Sequence, residues 1–441
     1  MSPLPTILVI VGITGDLSKR KLLPAIEQIA KAGALPGQFR VVGITRRDAS
    51  VNEVLVADSR YEFVKDHLEM YKMDLANKDD YAGLKQHLDT IESSFGKKAQ
   101  RLFYLSVPPQ FSRPIVEQLG RSGFGDEAMT KLLLEKPFGV DLSSARELID
   151  ETRQYFAEDQ LYRIDHYLAK EMAQNLIVFR NDNALFKQTW NSHHIDRIEI
   201  VASEKIGIEG RVDFYEQTGA LRDLVQSHLL QLAALVLMDL PENIDMKQVP
   251  RYRLDALRRL QVSLTDSGMA VTRGQYNGYR HDIKNDRSMT ETYVDMTLSS
   301  SDKRWQDVPI RIMTGKAMAE KATFVRIVYK TVTKHEANEL IISLQPNEGV
   351  ELQLWTKVPG YDHKLEKHSL GIAFKDHFPQ LPEAYEQVLL DAIRGVHTLF
   401  ASSDEVIETW RIIDPVQQLW QMNESALLQY EQSTDIASIT P

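Results

Sequence analysis

The sequence predicts two domains: an N-terminal α/β domain with a doubly wound parallel sheet, and a C-terminal α+β domain with a large, mainly antiparallel sheet covered by helices. The chain of 441 residues is longer than one hydrophobic core usually serves. Its first part alternates strand-length apolar runs with helical periodicity, the pattern of a Rossmann-like sheet. Alternating and β-branched runs with long connections dominate after about residue 184. We therefore expect a Rossmann-like domain over 1–183 and an α+β domain over 184–441.

Composition and charge restrict the class of protein. Apolar residues make up 43% of the chain and no apolar run is long enough to cross a bilayer, which predicts a soluble protein without a membrane partner. The first residues show no signal or transit peptide, and the lack of cysteine fits a reducing cytoplasm and excludes disulfides and thiolate chemistry. The net charge of −10 (52 basic minus 62 acidic side chains) disfavours nucleic acid. A local basic cluster must therefore hold any anionic ligand.

The first strand and the turn after it suit a nucleotide. Thr6 to Ile13 is a continuous β-branched run, as in a strand buried on both faces, and Gly12-Ile13-Thr14-Gly15-Asp16-Leu17 follows at once. Helical periodicity then runs from Leu22 until Gly33 ends it. In such a unit the glycines let a pyrophosphate approach the backbone at the helix start. The spacing differs from the usual dinucleotide fingerprint, so an ordinary strand–helix turn stays an alternative.

The end of the second strand, Phe39 to Ile44, favours NADP. Thr45-Arg46-Arg47 stands where an NAD enzyme would carry an acid for the ribose hydroxyl. A guanidinium suits the 2′-phosphate of NADP, so NAD is the weaker alternative. The competing interpretation is that these arginines are simply solvated.

The other elements of the first domain continue the alternation. Strands are predicted at Arg101 to Val107 and Thr130 to Leu134, and helices over 77–95, 111–122 and 141–157. Prolines end two of these strands at the edge where cofactors bind, and Asp141 and Ser144 compete as cap of the last helix.

The second domain is predicted to be mostly strands. The runs that predict them are 194–202, 259–265, 268–276, 291–298, 308–313, 322–330, 338–345 and 349–356. Helices are predicted at Thr218 to Met238, Leu381 to Gly395 and Ser403 to Trp420. The polar tail from Glu431 is expected to be frayed.

The stretch from Arg163 to Glu171 has the highest density of chemically active side chains. Asp165, His166, Tyr167 and Lys170 follow an apolar pair and precede a helical pattern, which predicts a strand end that turns into a helix. We expect it to bind a phosphorylated substrate and to orient a catalytic base. A solvated helix cap is the alternative.

Two further stretches supply candidates. The helix at Thr218 to Met238 is apolar nearly all round, so His228 is buried, either as a core histidine or as a general base paired with Asp165. Lys316 and Lys321 follow a predicted strand; by default they are solvated, but with His166, Tyr167 and Lys170 they suit a phosphate. No metal-binding pattern and no P-loop occur in the sequence, so we expect no metal.

Five motifs together resemble the glucose-6-phosphate dehydrogenase family. They are Gly12 to Pro24, Glu135-Lys136-Pro137-Phe138-Gly139, Arg163 to Glu171, Gly219 to His228 and Thr314-Gly315-Lys316, in the order found in that family, and the likeness runs from residue 6 to about 420. Arg163 to Glu171 is the most specific of them. Ala169, where the family usually has glycine, His397, where glutamine is commoner, and a short C-terminal end depart from its pattern.

The resemblance implies a reaction and a role for each matching residue. Hydride passes from C1 of glucose 6-phosphate to NADP, the first oxidative step of the pentose phosphate pathway, with His228 as base and Asp165 orienting it. The residues implied to bind substrate are Lys136, His166, Tyr167, Lys170, Glu204, Asp223, Lys316 and Lys321. Those implied to bind cofactor are Gly12, Thr14, Gly15, Asp16, Leu17, Arg46, Tyr104 and Lys136, and Pro137 would follow a cis peptide.

The resemblance implies that the domain over 1–183 binds NADP and that the domain over 184–441 binds substrate and forms the dimer contacts. It also implies a homodimer or a dimer of dimers and gives no support for a second, structural cofactor site. Two alternatives stay open: a dehydrogenase of another sugar phosphate or free sugar, and a catalytically silent NADP-binding protein. The presence of both His228 and Asp165 disfavours the second.

Overall fold

A computed structural model describes residues 4–55, 60–266, 268–332, 334–378, 380–422 and 427–439. Residues 1–3, which belong to the segment predicted to contain no signal or transit peptide, lie outside these ranges. So do the last two residues of the predicted tail. Two compact units make up the chain. The first comprises 1–169, 246–250 and 382–406, and the second comprises 170–245, 251–381 and 407–441. The boundary at residues 183 and 184 stays a prediction.

The strands alternate with helices early in the chain and follow one another later. The strands are β1 Thr6–Val11, β2 Phe39–Thr45, β3 Leu68–Lys72, β4 Gln100–Leu105, β5 Thr130–Leu134, β6 Leu161–Ile164, β7 Ile195–Ser203, β8 Leu260–Val262, β9 Leu264–Thr265, β10 Gly268–Met269, β11 Val271–Tyr276, β12 Tyr293–Ser300, β13 Ile310–Gly315, β14 Ala322–Tyr329, β15 Glu339–Gln345, β16 Gly349–Lys357, β17 Leu365–Ala373, β18 Phe400–Ala401 and β19 Leu428–Tyr430.

Within the described ranges the helices are mostly α-helical, with two π-helical segments and four 3₁₀ turns. The α-helices are Leu23–Lys31, Val51–Leu55, Glu62–His67, Lys78–Phe95, Pro109–Arg121, Leu142–Arg153, Glu171–Asp182, Ala184–Thr189, Val212–Ala220, Leu230–Leu237, Val249–Arg258, Tyr279–Ile283, Phe374–His377, Ala384–Arg394 and Ser403–Met422. The π-helices are Ser18–Leu22 and Leu221–Leu229, and the 3₁₀ turns are Glu158–Gln160, Met246–Gln248, Lys303–Trp305 and Ile436–Ser438. No helix in the described ranges is long and apolar enough to span a bilayer.

The first unit is built on a seven-stranded sheet in the order β18-β6-β5-β4-β1-β2-β3. All neighbours pair in parallel except β18, which is antiparallel to β6. Leu8 and Ile10 of β1 belong to one hydrophobic cluster, while Ile7 and Val9 belong to another. Alternate side chains of a strand point to opposite faces, so both faces of this sheet are buried. The predicted doubly wound α/β fold is confirmed for this unit.

The second unit is built on a ten-stranded sheet in the order β17-β16-β15-β14-β7-β13-β12-β11-β19, with β8 also paired to β12. Most neighbours are antiparallel, but β7 with β13 and β11 with β19 are parallel. Helix Leu230–Leu237 is buried at every residue, which confirms the prediction of a buried helix. The predicted α+β architecture is likewise confirmed.

Two local predictions are wrong. The helix predicted as continuous from Thr218 to Met238 is interrupted at Gly219, whose φ of 67° is not helical, and proceeds as a π-helix before it becomes α-helical. The tail from Glu431 is ordered over its described part, because Ile436 and Ile439 lie in a hydrophobic cluster. The prediction was wrong because it depended on the mostly polar composition of the tail and not on these two isoleucines.

A buried carboxyl in the first unit gives a pH-dependent stability. Burial raises the pKa of Asp391 to about 6, against hydrogen bonding from Gln387 and the charge of Arg394. The unfolded chain therefore loses this proton near pH 4 while the folded chain keeps it until about pH 6. We expect the free energy of unfolding to fall by about 1–2 kcal/mol as pH rises through this window, and Asp391→Asn to remove that fall. Urea unfolding at pH 4 to 7 measures it; an unchanged pH dependence in the variant, or its equal loss in the exposed Asp66→Asn, would contradict the assignment.

Candidate active site

The glycine turn after β1 forms one wall of a large cavity in the first unit. Gly12 has φ of 87°, and a Cβ on it would lie 2.3 Å from the carbonyl oxygen of Ser106. Only glycine allows this close approach. The cavity has a volume of about 970 Å³ and is lined by Gly12, Thr14, Gly15, Ile44, Thr45, Arg46, Arg47, Asp74, Leu75, Ala76, Ser106, Val107, Pro108, Gln110, Phe111, Pro114 and Ile115. The structure thus brings together four of the predicted cofactor residues, namely Gly12, Thr14, Gly15 and Arg46.

The cavity also contains residues that the sequence reasoning missed. Asp74 and its neighbours follow β3, a strand that was not predicted because Leu68–Lys72 is short, partly polar and at the sheet edge. Arg47 lines the cavity beside Arg46, and both are exposed. Two guanidinium groups after β2 can therefore meet an anion at this edge.

Four other predicted cofactor residues, Asp16, Leu17, Tyr104 and Lys136, do not line this cavity. Asp16 is exposed, and its carboxylate lies 3.5 Å from the guanidinium of Arg20. Leu17 is half-buried against a hydrophobic cluster. Tyr104 is completely buried and its hydroxyl donates a hydrogen bond to Glu135. Their contact with a cofactor stays a prediction.

Lys136 follows Glu135, a half-buried acid. The peptide bond between Lys136 and Pro137 is cis, as the resemblance implied. Burial raises the pKa of Glu135, while hydrogen bonds from Tyr104 and Tyr385 and the charge of Lys136 oppose the rise and the charge of Asp165 adds to it. Lys136 and Asp165 therefore belong to one electrostatic neighbourhood around Glu135. Sequence reasoning gave no role to Glu135, although it lies in a quoted motif.

The stretch after β6 has the predicted strand-to-helix form. Asp165 is 5% exposed, and its Oδ1 accepts a hydrogen bond from the backbone N–H of Tyr167 at 2.9 Å. Such a turn fixes the carboxylate at the strand end. The His166 ring lies 6.4 Å from the ring of Tyr385, nearly parallel to it. The same unit therefore holds Lys136, Asp165, His166 and Tyr167 at the carboxyl edge of its sheet.

Two predicted phosphate lysines are linked in the second unit. Lys170 Nζ donates to Oε1 of Gln345 at 3.0 Å, and Gln345 Nε2 donates to the hydroxyl of Thr323 at 2.8 Å. Thr323 lies two residues after Lys321, which is exposed at the start of β14. This hydrogen-bonded chain places Lys170 near the end of β14 where Lys321 lies.

Lys316 lies at the centre of a second group of predicted residues. Contrary to the default expectation for a turn lysine, it is only 2% exposed. Its ammonium pairs with the carboxylate of Glu204 and lies 4.9 Å from the centre of the Tyr215 ring. Burial raises the pKa of the Tyr215 phenol well above 10, and the charges of Asp223, Glu291 and Glu204 contribute. Glu204, Asp223 and Lys316 are thus gathered around a tyrosine that sequence reasoning missed.

His228 lies on the π-helical segment Leu221–Leu229, together with Asp223. It is 2% exposed, which confirms the predicted burial. This segment packs against β7 and β13, the strands that end just before Glu204 and Lys316. π-helical turns are uncommon and often occur at functional sites. The same sheet ends therefore position the imidazole, the acids and the lysine.

The pairing of Asp165 with His228 joins residues of different units and stays a prediction. The same holds for the pocket that combines His166 and Tyr167 with Lys170, Lys316 and Lys321. In the described ranges no group of three or more histidine, aspartate or glutamate side chains is arranged to hold a metal ion, and the expectation that the protein uses no metal stays a prediction.

Comparisons with known proteins find the same family over nearly the whole chain. Family models described as the NAD binding domain and the C-terminal domain of glucose-6-phosphate dehydrogenase match residues 9–175 and 177–438. Glucose-6-phosphate 1-dehydrogenase of Chlamydia pneumoniae is 35% identical, over 96% of this chain and 90% of that protein.

Solved structures give the same result. A glucose-6-phosphate dehydrogenase in complex with its substrate glucose-6-phosphate is similar with a TM-score of 0.93 and 27% identity, over 100% of this chain and 96% of that chain. The glucose-6-phosphate 1-dehydrogenase of Mycobacterium avium has a TM-score of 0.85 and 31% identity, over 98% and 95% of the two chains. The resemblance seen in the sequence motifs is thereby confirmed. The chain belongs to the glucose-6-phosphate dehydrogenase family.

Proposed function

We propose a mechanism in which glucose 6-phosphate loses the C1 hydride to bound NADP and the C1 hydroxyl proton to His228, which gives 6-phospho-D-glucono-1,5-lactone. Asp165 orients His228, and two sets of lysine and acid side chains bind the substrate. The predicted enzyme class is confirmed by family membership: the chain is an oxidoreductase that acts on a CH–OH group of this sugar phosphate with NADP. Membership over nearly the full length is the single observation that carries the reaction. The roles of individual residues are the proposal.

The cavity after β1 fits the cofactor that the family implies. Because a Cβ at Gly12 would collide with the Ser106 carbonyl, the backbone there leaves room for a close approach by a pyrophosphate. Arg46 and Arg47 offer guanidinium groups to a 2′-phosphate in the same cavity. NADP, when bound, supplies the hydride acceptor.

His228 removes the proton from the C1 hydroxyl in this mechanism. A sugar hydroxyl is a very weak acid, so a base within hydrogen-bonding reach is needed while the C1 hydride departs. Asp165, fixed by the N–H of Tyr167, is well placed on its own strand end to orient an imidazole and to stabilise its cation. Lys136, Glu204 and Asp223 bind sugar hydroxyl groups.

The basic groups bind the 6-phosphate. His166, Tyr167, Lys170, Lys316 and Lys321 supply donors, and the link from Lys170 through Gln345 to the start of β14 supports placing Lys170 with Lys321. Binding of this remote group can be used to orient the reacting carbon. The phosphate therefore separates this substrate from free glucose.

An assay of NADPH formation with a panel of sugars tests the proposal. We expect turnover with glucose 6-phosphate and NADP, weaker turnover with NAD, and little with free glucose or other hexose 6-phosphates. Preference for another sugar phosphate would favour the related dehydrogenase. No turnover by intact protein would favour a silent NADP-binding protein.

Replacing Arg46 is expected to discriminate between the cofactors. Arg46→Ala removes a guanidinium that lines the cavity, so KM for NADP should rise about tenfold or more while KM for NAD changes little, because only NADP carries the 2′-phosphate. Steady-state kinetics with both cofactors measure this. Arg40→Ala, which removes an exposed arginine of β2 that does not line the cavity, is the matched control. Equal losses for NADP and NAD in Arg46→Ala would show that Arg46 does not bind the 2′-phosphate.

The proposal also covers the oligomeric state of the protein and its location in the cell. We infer a homodimer that works in the cytoplasm. Leu370 and Ile372 of β17 are 61% and 56% exposed on a sheet face, which supports a role in association. Sedimentation measures the mass in solution, and the mass of one chain at micromolar concentration would contradict the dimer.

A further inference from the structure

The start of the π-helix Leu221–Leu229 is held by a single buried acid. Glu291 is 9% exposed, and its Oε1 accepts a hydrogen bond from the backbone N–H of Leu221 at 2.9 Å. The preceding N–H, of Ala220, donates to the backbone carbonyl of Glu291 at 3.0 Å. N–H groups at a helix start lack partners within the helix and need external acceptors. Glu291 satisfies two of them in succession.

Gly219 makes this contact sterically feasible. Its φ of 67° breaks the helical path immediately before the π-helix. A Cβ on Gly219 would lie 2.3 Å from Oε1 of Glu291. Glycine therefore supplies both the backbone conformation and the space for the carboxylate.

The residue after Glu291 extends the link to Lys316. The carbonyl of Thr292 accepts the backbone N–H of Lys316 at 2.9 Å. The hydroxyl of Tyr430 lies 2.7 Å from the Thr292 hydroxyl and donates to the carbonyl of Lys316 at 2.8 Å. Glu291 and Thr292 thus connect the helix start to the backbone of Lys316, the lysine that pairs with Glu204.

We propose that Glu291 is a positioning residue that sets the direction of the π-helix and thereby the placement of His228 and Asp223 relative to Lys316. The inference rests on the proposed function, in which His228 is the base. Glu291 itself transfers no proton, and its part is the acceptor oxygen that it offers to the N–H of Leu221. A small rotation of the helix would misplace the imidazole, and misplacement of about 1 Å can cost 10²-fold in rate.

Three variants of the full-length protein test this role. Glu291→Ala removes the acceptor, Glu291→Gln keeps an acceptor oxygen without the charge, and Glu216→Gln is the matched control. Glu216 accepts from Tyr279 and Ser288 at 2.8 and 2.9 Å in the same unit. The measurements are kcat per NADPH-binding site, KM for both substrates, the pH profile of kcat and the melting temperature.

The expected result is a loss of kcat in Glu291→Ala that stability does not explain. We expect kcat per site to fall about tenfold or more, the size of one buried hydrogen bond, with KM for NADP within about twofold. Glu291→Gln should keep more than about half of kcat, and the pH midpoint of kcat should stay in place because the base is unchanged. Glu216→Gln should keep kcat even where it melts earlier.

Other outcomes overturn the inference without touching the proposed function. Unchanged kcat per site in Glu291→Ala, an equal fall in Glu216→Gln, or a glutamine variant as poor as the alanine variant each removes the positioning role. If Glu291→Ala does not fold, Glu291→Asp takes its place, because the shorter side chain moves the acceptor oxygen away by one methylene. Unchanged kcat per site in Glu291→Asp then removes the positioning role. Failure of the unmodified protein to oxidise glucose 6-phosphate would instead refute the proposed function.

Discussion

Replacing His228 by asparagine is expected to lower kcat by about 10²–10⁴-fold while KM for glucose 6-phosphate changes little. The imidazole accepts a proton only as the C1–H bond breaks, so its loss affects the transition state more than the bound substrate. Asparagine has a similar shape but is not a base at neutral pH. Steady-state kinetics across pH 5 to 9 measure the effect, and the pH dependence due to the base should disappear with the activity.

Ser227→Ala is the matched control for this change. Its hydroxyl donates to the backbone carbonyl of Asp223 on the same helix, so its loss perturbs the π-helix without removing the imidazole. Near-normal kcat in Ser227→Ala with a large loss in His228→Asn identifies the imidazole as the essential group. Retained turnover in His228→Asn would sink the assignment of the base.

Replacing Lys321 by alanine is expected to raise KM for glucose 6-phosphate by about 10-fold to 100-fold. A charge-assisted hydrogen bond to phosphate contributes roughly 1.5–3 kcal/mol, which corresponds to this range. Turnover of free glucose at high concentration should hardly change, because glucose has no phosphate group for Lys321 to bind. The preference for the phosphorylated sugar over glucose should therefore narrow.

Lys330→Ala is the matched control for Lys321→Ala. Both lysines are exposed and flank β14 at opposite ends, about 30 Å apart for an extended segment of this length. The control removes the same charge from the same unit away from the proposed pocket. Equal kinetic effects of the two changes would indicate a general electrostatic effect and would take Lys321 out of the phosphate site.

Sequence periodicity predicted the strands that are buried on both faces. Ile7–Val11 of β1 is a continuous apolar run and β5 ends in three leucines, because both faces of the first sheet are buried. The strands that were missed, β3, β17, β18 and β19, each lie at the end of a sheet. All but β17 have five residues or fewer, and β17 has no buried residue. Edge strands lack the hydrophobic pattern on which such a prediction depends.

The sequence predicted those residues of the candidate site that lie in motifs of ionisable side chains. His228, Asp165 and Lys316 were identified because an imidazole, an acid and a lysine within specific motifs are typical of a catalytic site. Glu291 and Tyr215 were missed because their importance comes from burial next to a helix start and under an ammonium group, which neighbours distant in sequence create. A carboxylate in a strand-like run carries no sign that it will accept backbone N–H groups.

Strand β19, which lies just before the tail, has a practical consequence for protein engineering. Strand β19 pairs with β11, and the Tyr430 hydroxyl bonds to the carbonyl of Lys316. A tag or truncation that disturbs residues 428–430 would therefore act on Lys316, the lysine proposed to bind the substrate, more than a hundred positions earlier in the chain. An affinity tag is therefore better placed elsewhere. Proteolytic loss of this segment during purification would raise KM for the sugar phosphate although the residues proposed for catalysis are intact.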